Sequence, residues 1–309
     1  MARYKIIVNP TCGRGNGERS IPAIEEALRR RGVDFDLVRT ERPWHAAELA
    51  RQAAHDGFDV VVSGDDNGTA NEVVNGLMLA KQDGKAAAMG ILSIGRGNDY
   101  AFGMMVPMGI EAGCQALAEG KRRWVDVGQV VGGDYPQGRY FGNGVGIGFD
   151  TVVGFEALKL KWLTGFPSYI VAALKTVFLY FRAPLLRIEH DGGTVERACL
   201  MVSIMNGRRL GGGFMMAPEG RPDDGMADAC VARQVSRARV FTLVPHFMKG
   251  TQATQPEVEM IHSRRFDIVA LEGTLPVHAD GETICTAGQR ITVEILPRQV
   301  EFLFCGPEA

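Results

Sequence analysis

Residues 60–77, VVVSGDDNGTANEVVNGL, set an apolar run (Val60, Val61, Val62) before a turn of Ser63, Gly64, Asp65, Asp66, Asn67, Gly68 and Thr69. Apolar residues then recur at Val73, Val74, Leu77 and Met78, the spacing of an amphipathic helix. A strand that passes through a glycine turn into a helix N-terminus can hold a phosphate, because backbone N–H groups and the positive end of the helix dipole face the anion. Here two carboxylates, Asp65 and Asp66, stand where the anion would rest. Two further turns share the setting. Tyr4–Val8 runs into Asn9-Pro10 and a glycine-rich loop through Gly17, and Met89–Ile94 runs into Gly95-Arg96-Gly97-Asn98-Asp99. Ligands on parallel α/β sheets bind beyond the carboxyl ends of the strands, so three such turns can converge on one site.

The elements around these turns alternate. Helical spacing over Ile21–Arg30, a strand at Val33–Leu37, a helix at Trp44–Asp56, a strand at Asp59–Ser63 and a helix over 70–82 predict a parallel α/β sheet. After about residue 124 the pattern changes. Val125–Val131, Tyr140–Asn143, Leu186–His190, Cys199–Met205, Asp228–Arg233 and Phe266–Leu271 read as strands with few helices between them, a mostly antiparallel β-rich domain. The tail reads as two strands, Ile291–Leu296 and Val300–Phe304, around Pro297. The expected division is residues 1–124 and 125–309, with the last strands able to pack back on the first domain.

Bulk properties exclude several classes. A net charge of −2 gives no basic footprint for nucleic acid. Six cysteines without a CxxC pair support neither a zinc site nor a disulfide framework, and fit reduced thiols in the cytoplasm. The start, MARYKIIVNP, has no signal-peptide pattern, and no apolar run reaches the roughly 20 residues needed for a transmembrane segment. The most apolar stretch, Leu158–Phe181, places Trp162, Phe166, Tyr169, Phe178, Tyr180 and Phe181 among Lys159, Lys161 and Lys175. It reads equally as a helix over an acyl chain or the bilayer interface and as a core helix, and Val240–Lys249 has the same two readings.

Seven stretches in order resemble one family, the diacylglycerol kinase catalytic domain family, which includes bacterial lipid kinases and sphingosine kinases. They are VNPTCGRGNG (8–17), NGTANEVVNGL (67–77), SIGRGNDYAFGM (93–104), VDVGQV (125–130), FGNGVGIGFD (141–150), NGRRLGGGFMMAPEGRPDDGMADA (206–229) and ADGE (279–282). The resemblance implies an α/β N-terminal domain similar to NAD kinase and 6-phosphofructokinase, a β-sandwich-like C-terminal domain, and a nucleotide in the cleft between them. It implies transfer of the γ-phosphoryl group of ATP, with Mg²⁺, to a lipid hydroxyl. Diacylglycerol is the leading acceptor, met at the membrane surface by a peripheral cytoplasmic protein that could form a homodimer.

It also implies roles. Asn9, Pro10, Thr11, Cys12 and Gly13 would meet nucleotide polar groups, with Thr40 near the adenine. Asp66, Asn67, Gly68 and Thr69 would face the phosphates, and Asn71 and Glu72 would join them or cap their own helix, the structural role being favoured for Glu72. Arg96, where the family usually has Thr, would pair with a phosphate, and Asn98 would shape its loop and reach the nucleotide. Asp224, then Asp223, with the backbone of Arg221 and Met226, would hold Mg²⁺; the same residues would make a hairpin turn anyway. Asp280 matches the catalytic base, with Glu282 as the alternative or as its partner through Mg²⁺ and water.

The opening turn departs from the family, which usually reads Gly-Gly-Asp-Gly-Thr there. Aligned on Gly68-Thr69 without a gap, this chain reads Asp65-Asp66-Asn67-Gly68-Thr69. An alternative register aligns Ser63-Gly64-Asp65 with the family's Gly-Gly-Asp and inserts two residues. Three outcomes follow: a nucleotide site whose metal neutralises the added charge, a different phosphoryl donor such as pyrophosphate, or an impaired homologue that binds lipid or nucleotide.

Overall fold

The computed structural model describes residues 2–65, 67–95, 97–159, 166–179 and 183–304. The chain forms two compact units, one of Met1–Val127 with Pro297–Ala309 and one of Gly128–Leu296. It therefore crosses between them twice, each time inside a strand.

The first unit contains β1 (Arg3–Val8), α1 (Cys12–Arg30), β2 (Asp34–Arg39), α2 (His45–His55), β3 (Val60–Gly64), α3 (Asn67–Gln82), β4 (Ala88–Ile91), α4 (Asp99–Gly103), α5 (Ile110–Glu119) and the start of β5 (Arg122–Gly132). Its strands run parallel in the order β2-β1-β3-β4, with Ile6 opposite both Leu37 and Val62, and Val62 opposite Gly90. Ile6, Ile7 and Val8, and Val60, Val61 and Val62, are fully buried, which explains why these strands are continuous apolar runs. α2 is packed through Ala46, Ala47, Ala50, Ala53 and Ala54. It lies close to α3: a Cβ on Gly76 would stand 2.2 Å from the Ala47 carbonyl oxygen, so only glycine permits this approach. The helix after β1 begins earlier than the periodicity indicates, but Gly13, Arg14 and Gly15 have left-handed φ, and regular helix sets in only beyond them.

The second unit contains the rest of β5, β6 (Tyr135–Phe141), β7 (Gly144–Gly148), α6 (Phe149–Lys159), α7 (Phe166–Leu179), β8 (Leu185–His190), β9 (Gly193–Met205), β10 (Arg209–Leu210), β11 (Phe214–Met215), β12 (Ala227–Arg233), α8 (Arg237–Lys249), β13 (Val258–Ser263), β14 (Arg265–Glu272), β15 (Leu275–Ala279), β16 (Glu282–Gly288) and the start of β17 (Arg290–Leu303). Its strand pairs are antiparallel, in the order β16-β15-β7-β9-β8-β14-β17, with β12 between β9 and β13. Alternation decides what each face covers. Val202 and Ile204 of β9 and Ala227, Ala229 and Val231 of β12 enter one apolar cluster with Phe266, Ile268 and Val277. Met201, Met205, Cys230 and Ala232, on the opposite face, enter a second cluster with Ala172 and Val177 of α7 and Val240, Leu243 and Phe247 of α8.

The tail corrects one expectation. Residues 290–303 are one strand, not two around Pro297. Beyond the missing proline N–H, Arg298 takes a positive φ, and its N–H donates to Asp126 Oδ1 at 2.7 Å. The irregularity is thus satisfied by a carboxylate and the strand continues. Its last residues enter the first unit, where Phe302 pairs with Met89.

Candidate active site

In the first unit the three glycine turns follow β1, β3 and β4. The strand order turns back between β1 and β3, the position where open α/β sheets bind ligands. Side chains join the turns. Asn16 Nδ2 donates to the Ile94 carbonyl at 3.1 Å, and a Cβ on Gly13 would lie 3.5 Å from that same oxygen. Asn67, at φ 37°, donates through Nδ2 to Asp99 Oδ2 and accepts the Tyr100 N–H on Oδ1, both at 3.4 Å. Asn98 has left-handed φ and is buried, with Nδ2 donating to the Gly95 carbonyl. Asn9 Oδ1 accepts both the N–H and the hydroxyl of Thr11, and the Pro10 carbonyl accepts the Glu18 N–H. Thr40 N–H donates to the Val8 carbonyl, which sets Thr40 beside the end of β1.

The carboxylate at the opening turn has a defined place. Asp65 Oδ2 accepts the Thr69 hydroxyl at 3.1 Å, while the Asp65 carbonyl accepts the Ser63 hydroxyl at 2.6 Å. Asp65 thus holds the side chain that the resemblance assigns to a phosphate, and the α3 N-terminus carries a negative group of its own. Asp66 and Arg96 lie outside the described residues.

Other expected contacts take different roles. Glu72 caps a helix, but not its own: Oε1 accepts the Trp44 N–H and Oε2 the Ala46 N–H, each at 2.9 Å, closing the first turn of α2. Asn71 is fully buried and accepts from Asn75 Nδ2. Cys12 packs into the core with Ile21 and Ile24. Cys12 and Asn71 are thus buried, and half-buried Glu72 is engaged by the start of α2.

In the second unit, three of the sequence motifs meet in one knot. Asp280, at φ 49° on the turn between β15 and β16, is buried. Its Oδ2 accepts the Gly142 N–H at 2.8 Å, and Oδ1 accepts the N–H groups of Asn143 and Gly144, both at 2.9 Å. Asn206 Nδ2 donates to the Gly142 carbonyl, and the Asn206 and Gly207 N–H groups donate to the Asn143 carbonyl. A Cβ on Gly207 would lie 2.1 Å from Asn143 Oδ1. Glu282 begins β16 and faces buried Arg139 Nη2 at 3.8 Å.

Two residues next to this knot went unread in the sequence, Asp150 and His278. His278 Nδ1 accepts the Gly281 N–H at 3.3 Å, so the neutral ring carries its proton on Nε2. Gly146 lies under both residues: a Cβ there would stand 2.3 Å from His278 Nε2 and 2.6 Å from Asp150 Oδ2. Asp150 also accepts the Ser203 hydroxyl at 2.5 Å and the Thr151 N–H at 2.7 Å. Desolvation pushes the Asp150 carboxyl up to about 7, against the hydrogen bonds that favour its anion, and pushes His278 down to about 4. Ionisable residues within otherwise apolar, glycine-bearing strands (GVGIGFD, LPVHAD) were the signal available.

The expected metal residues form a turn. Asp223 Oδ1 lies 3.3 Å from Arg221 Nε, and Asp224 Oδ1 accepts the Met226 N–H at 3.0 Å. Among the described residues, no three carboxylate, imidazole or thiolate groups converge as a metal cage. No described helix is long and apolar enough to cross a membrane.

These units define a class: an open parallel α/β sheet joined to an antiparallel β-rich domain. Comparison with known proteins agrees. Residues 3–130 match the diacylglycerol kinase catalytic domain, and residues 143–304 match the YegS C-terminal NAD kinase beta sandwich-like domain. Diacylglycerol kinase of Staphylococcus aureus strain bovine RF122 / ET3-1 is 27% identical over 281 residues, 91% of this chain and 86% of its own; that of strain MRSA252 is 26% identical over the same span. A Bacillus anthracis diacylglycerol kinase crystal structure shares the fold with TM-score 0.75 and 20% identity, over 99% of this chain and 97% of its own. Another Bacillus anthracis structure reaches TM-score 0.80 at 22% identity, covering 99% and 95%. The chain belongs to the diacylglycerol kinase family and is a lipid kinase of that kind.

Proposed function

We propose that this lipid kinase transfers the terminal phosphoryl group of ATP to the free hydroxyl of diacylglycerol, giving phosphatidic acid and ADP. The observation that carries the reading is the joining of the three turns by Asn16 and Asn67 at the carboxyl ends of β1, β3 and β4. Gly68 and Thr69 present the α3 N-terminus to phosphate, with Asn9, Thr11 and Asn98 around it and Thr40 toward the adenine. Asp280 takes the hydroxyl proton as the lipid oxygen bonds to phosphorus and the bridging oxygen leaves with ADP. Its fixed carboxylate supports that role, since a base must be held in place. Mg²⁺ needs only one or two carboxylates when waters and phosphates complete its shell, so Asp224 and Asp223 with the Arg221 and Met226 carbonyls would hold it, and the ion would neutralise phosphate charge. The protein works in the cytoplasm at the face of a membrane.

A second reading, a different phosphoryl donor, is favoured by one observation: Asp65 carries a carboxylate into the turn and holds Thr69. One experiment addresses both. Labelled γ-phosphate transfer from ATP-Mg²⁺ to diacylglycerol and to sphingosine is measured in mixed micelles, with Asp280→Asn alongside and pyrophosphate as a competing donor. Labelled phosphatidic acid that disappears in folded Asp280→Asn supports the first reading. Transfer from pyrophosphate without transfer from ATP supports the second.

A further inference from the structure

Asp280 sits in a two-residue hairpin. Pairing between β15 and β16 closes with Ala279 opposite Glu282, so Asp280 and Gly281 alone make the turn, at φ 49° and 88°. Two left-handed residues in succession are the mark of a type I′ turn, and the N–H groups of both lie outside the ladder. Each therefore needs a partner elsewhere. The Asp280 N–H donates to the Gly144 carbonyl at 2.9 Å, and the Gly281 N–H donates to His278 Nδ1 at 3.3 Å. No described atom would come within 4 Å of a Cβ on Gly281, so the peptide between the two turn residues is held from its inner side.

The imidazole is itself fixed. His278 on β15 and Ser203 on β9 are both cross-strand partners of Gly146 on β7. The side chain that Gly146 lacks leaves the space that the ring occupies, and Asp150, from the start of α6, reaches over the same glycine to take the Ser203 hydroxyl. Ring and carboxylate share that space and hold each other in place. Burial keeps the ring in its neutral form, whose Nδ1 accepts. A general base works only while its oxygen stays within a fraction of an ångström of the proton it takes. Rotation of the peptide between Asp280 and Gly281 would swing the carboxylate away from its three N–H donors.

We propose that His278 is a positioning residue for the phosphoryl transfer: by accepting the Gly281 N–H it fixes the peptide after Asp280, and with it the direction of the Asp280 carboxylate. The proposal deepens the lipid-kinase reading and rests on it for Asp280 as the base.

The test compares two replacements of one shape. In His278→Asn, Oδ1 stands as many bonds from the backbone as Nδ1 does in histidine and still accepts. His278→Leu has the same branching and no acceptor. Both lose the ring, so the packing loss is common to them. With ATP-Mg²⁺ and diacylglycerol in mixed micelles, His278→Leu is expected to lower kcat about 10- to 100-fold at unchanged KM for both substrates, and His278→Asn to stay within about threefold of the parent. In an Asp280→Asn background, His278→Leu should lower the residual rate no further, because its effect runs through the carboxylate already removed. Amide exchange at Gly281, followed by NMR, reads the contact without any activity. It should be slow in the parent and in His278→Asn and fast in His278→Leu. Thermal melts confirm that the variants are folded.

An equal loss of kcat in the Asn and Leu variants overturns the proposal, as does full activity in His278→Leu. A cost of His278→Leu that persists undiminished in Asp280→Asn overturns it too, and leaves Asp280 as the base. In a protein that phosphorylates no lipid the kinase reading falls by itself. The exchange contrast then upholds the hold of His278 on the turn, and equal exchange in the two variants removes it.

Discussion

Asp150 and His278 are desolvated together over Gly146, and their pKa values move in opposite directions. Folded Asp150 keeps its proton up to about 7, whereas the unfolded carboxyl releases it near 3.8; across that window the native state binds more protons, and its stability falls as pH rises. Folded His278 gives up its proton by about 4, whereas the unfolded ring holds it to 6.5; across that window the unfolded state binds more protons, and stability rises with pH. Between pH 4 and 6.5 the two slopes oppose each other. Asp150→Asn should leave a stability that climbs with pH relative to the parent, by about 1 kcal/mol per unit, and His278→Gln one that falls by a similar amount. Urea midpoints at several pH values would show it; parallel profiles for parent and variants would remove the idea. Asp280 belongs to the same scale. Its three N–H donors mean that Asp280→Ala strands buried backbone groups at about 1–3 kcal/mol each, so lost activity in that variant says nothing about proton transfer unless its melting temperature is measured too.

At the scale of elements, Glu72 shows how a helix can be closed from elsewhere in the chain. Its carboxylate caps α2 from α3, so Glu72→Ala should cost about 0.5–2 kcal/mol in stability and leave nucleotide affinity unchanged. Calorimetric ATP titration beside a thermal melt tests this; a lost titration with an unchanged melt would return Glu72 to the ligand. The sequence made the apolar strands β1, β3 and β4 and their turns readable, because buried parallel strands are near-continuous apolar runs. The cap partner was not readable, because which helix a carboxylate caps is decided by packing and not by spacing along the chain. β13, β15 and β16 also escaped. In LPVHADGETICTAG the polar turn hides two strands whose identity comes from pairing with β7 and with each other. Pro297 misled for a related reason: a proline normally ends a ladder, and here Asp126 takes the next N–H and lets β17 run on. The Asp280 turn was recognisable as a motif, but its clamp by residues 142–144 is a long-range contact that no local pattern encodes.

At the scale of the whole molecule, the first unit is discontinuous in sequence. Residues 1–127 lack the segment that pairs with β4 through Phe302, buries Phe302 and Leu303, and accepts Lys81 Nζ on the Gln299 carbonyl at 2.8 Å. A fragment of residues 1–127 should therefore give no cooperative thermal transition by circular dichroism, and adding residues 297–304 through a short flexible linker should restore one. A sharp transition in the bare fragment would show that the last strand is dispensable.

The discontinuity also orders events at the ribosome. The strands β1 to β4 emerge first, but their remaining partner follows the whole second unit. At about 5–20 residues per second, the intervening segment keeps the sheet waiting roughly 10–30 s, with the β4 edge unpaired and open to wrong partners meanwhile. The second unit is synthesised in that interval and ends in the closing strand, so a slow-translating stretch inside residues 128–296 would lengthen the exposure of the first.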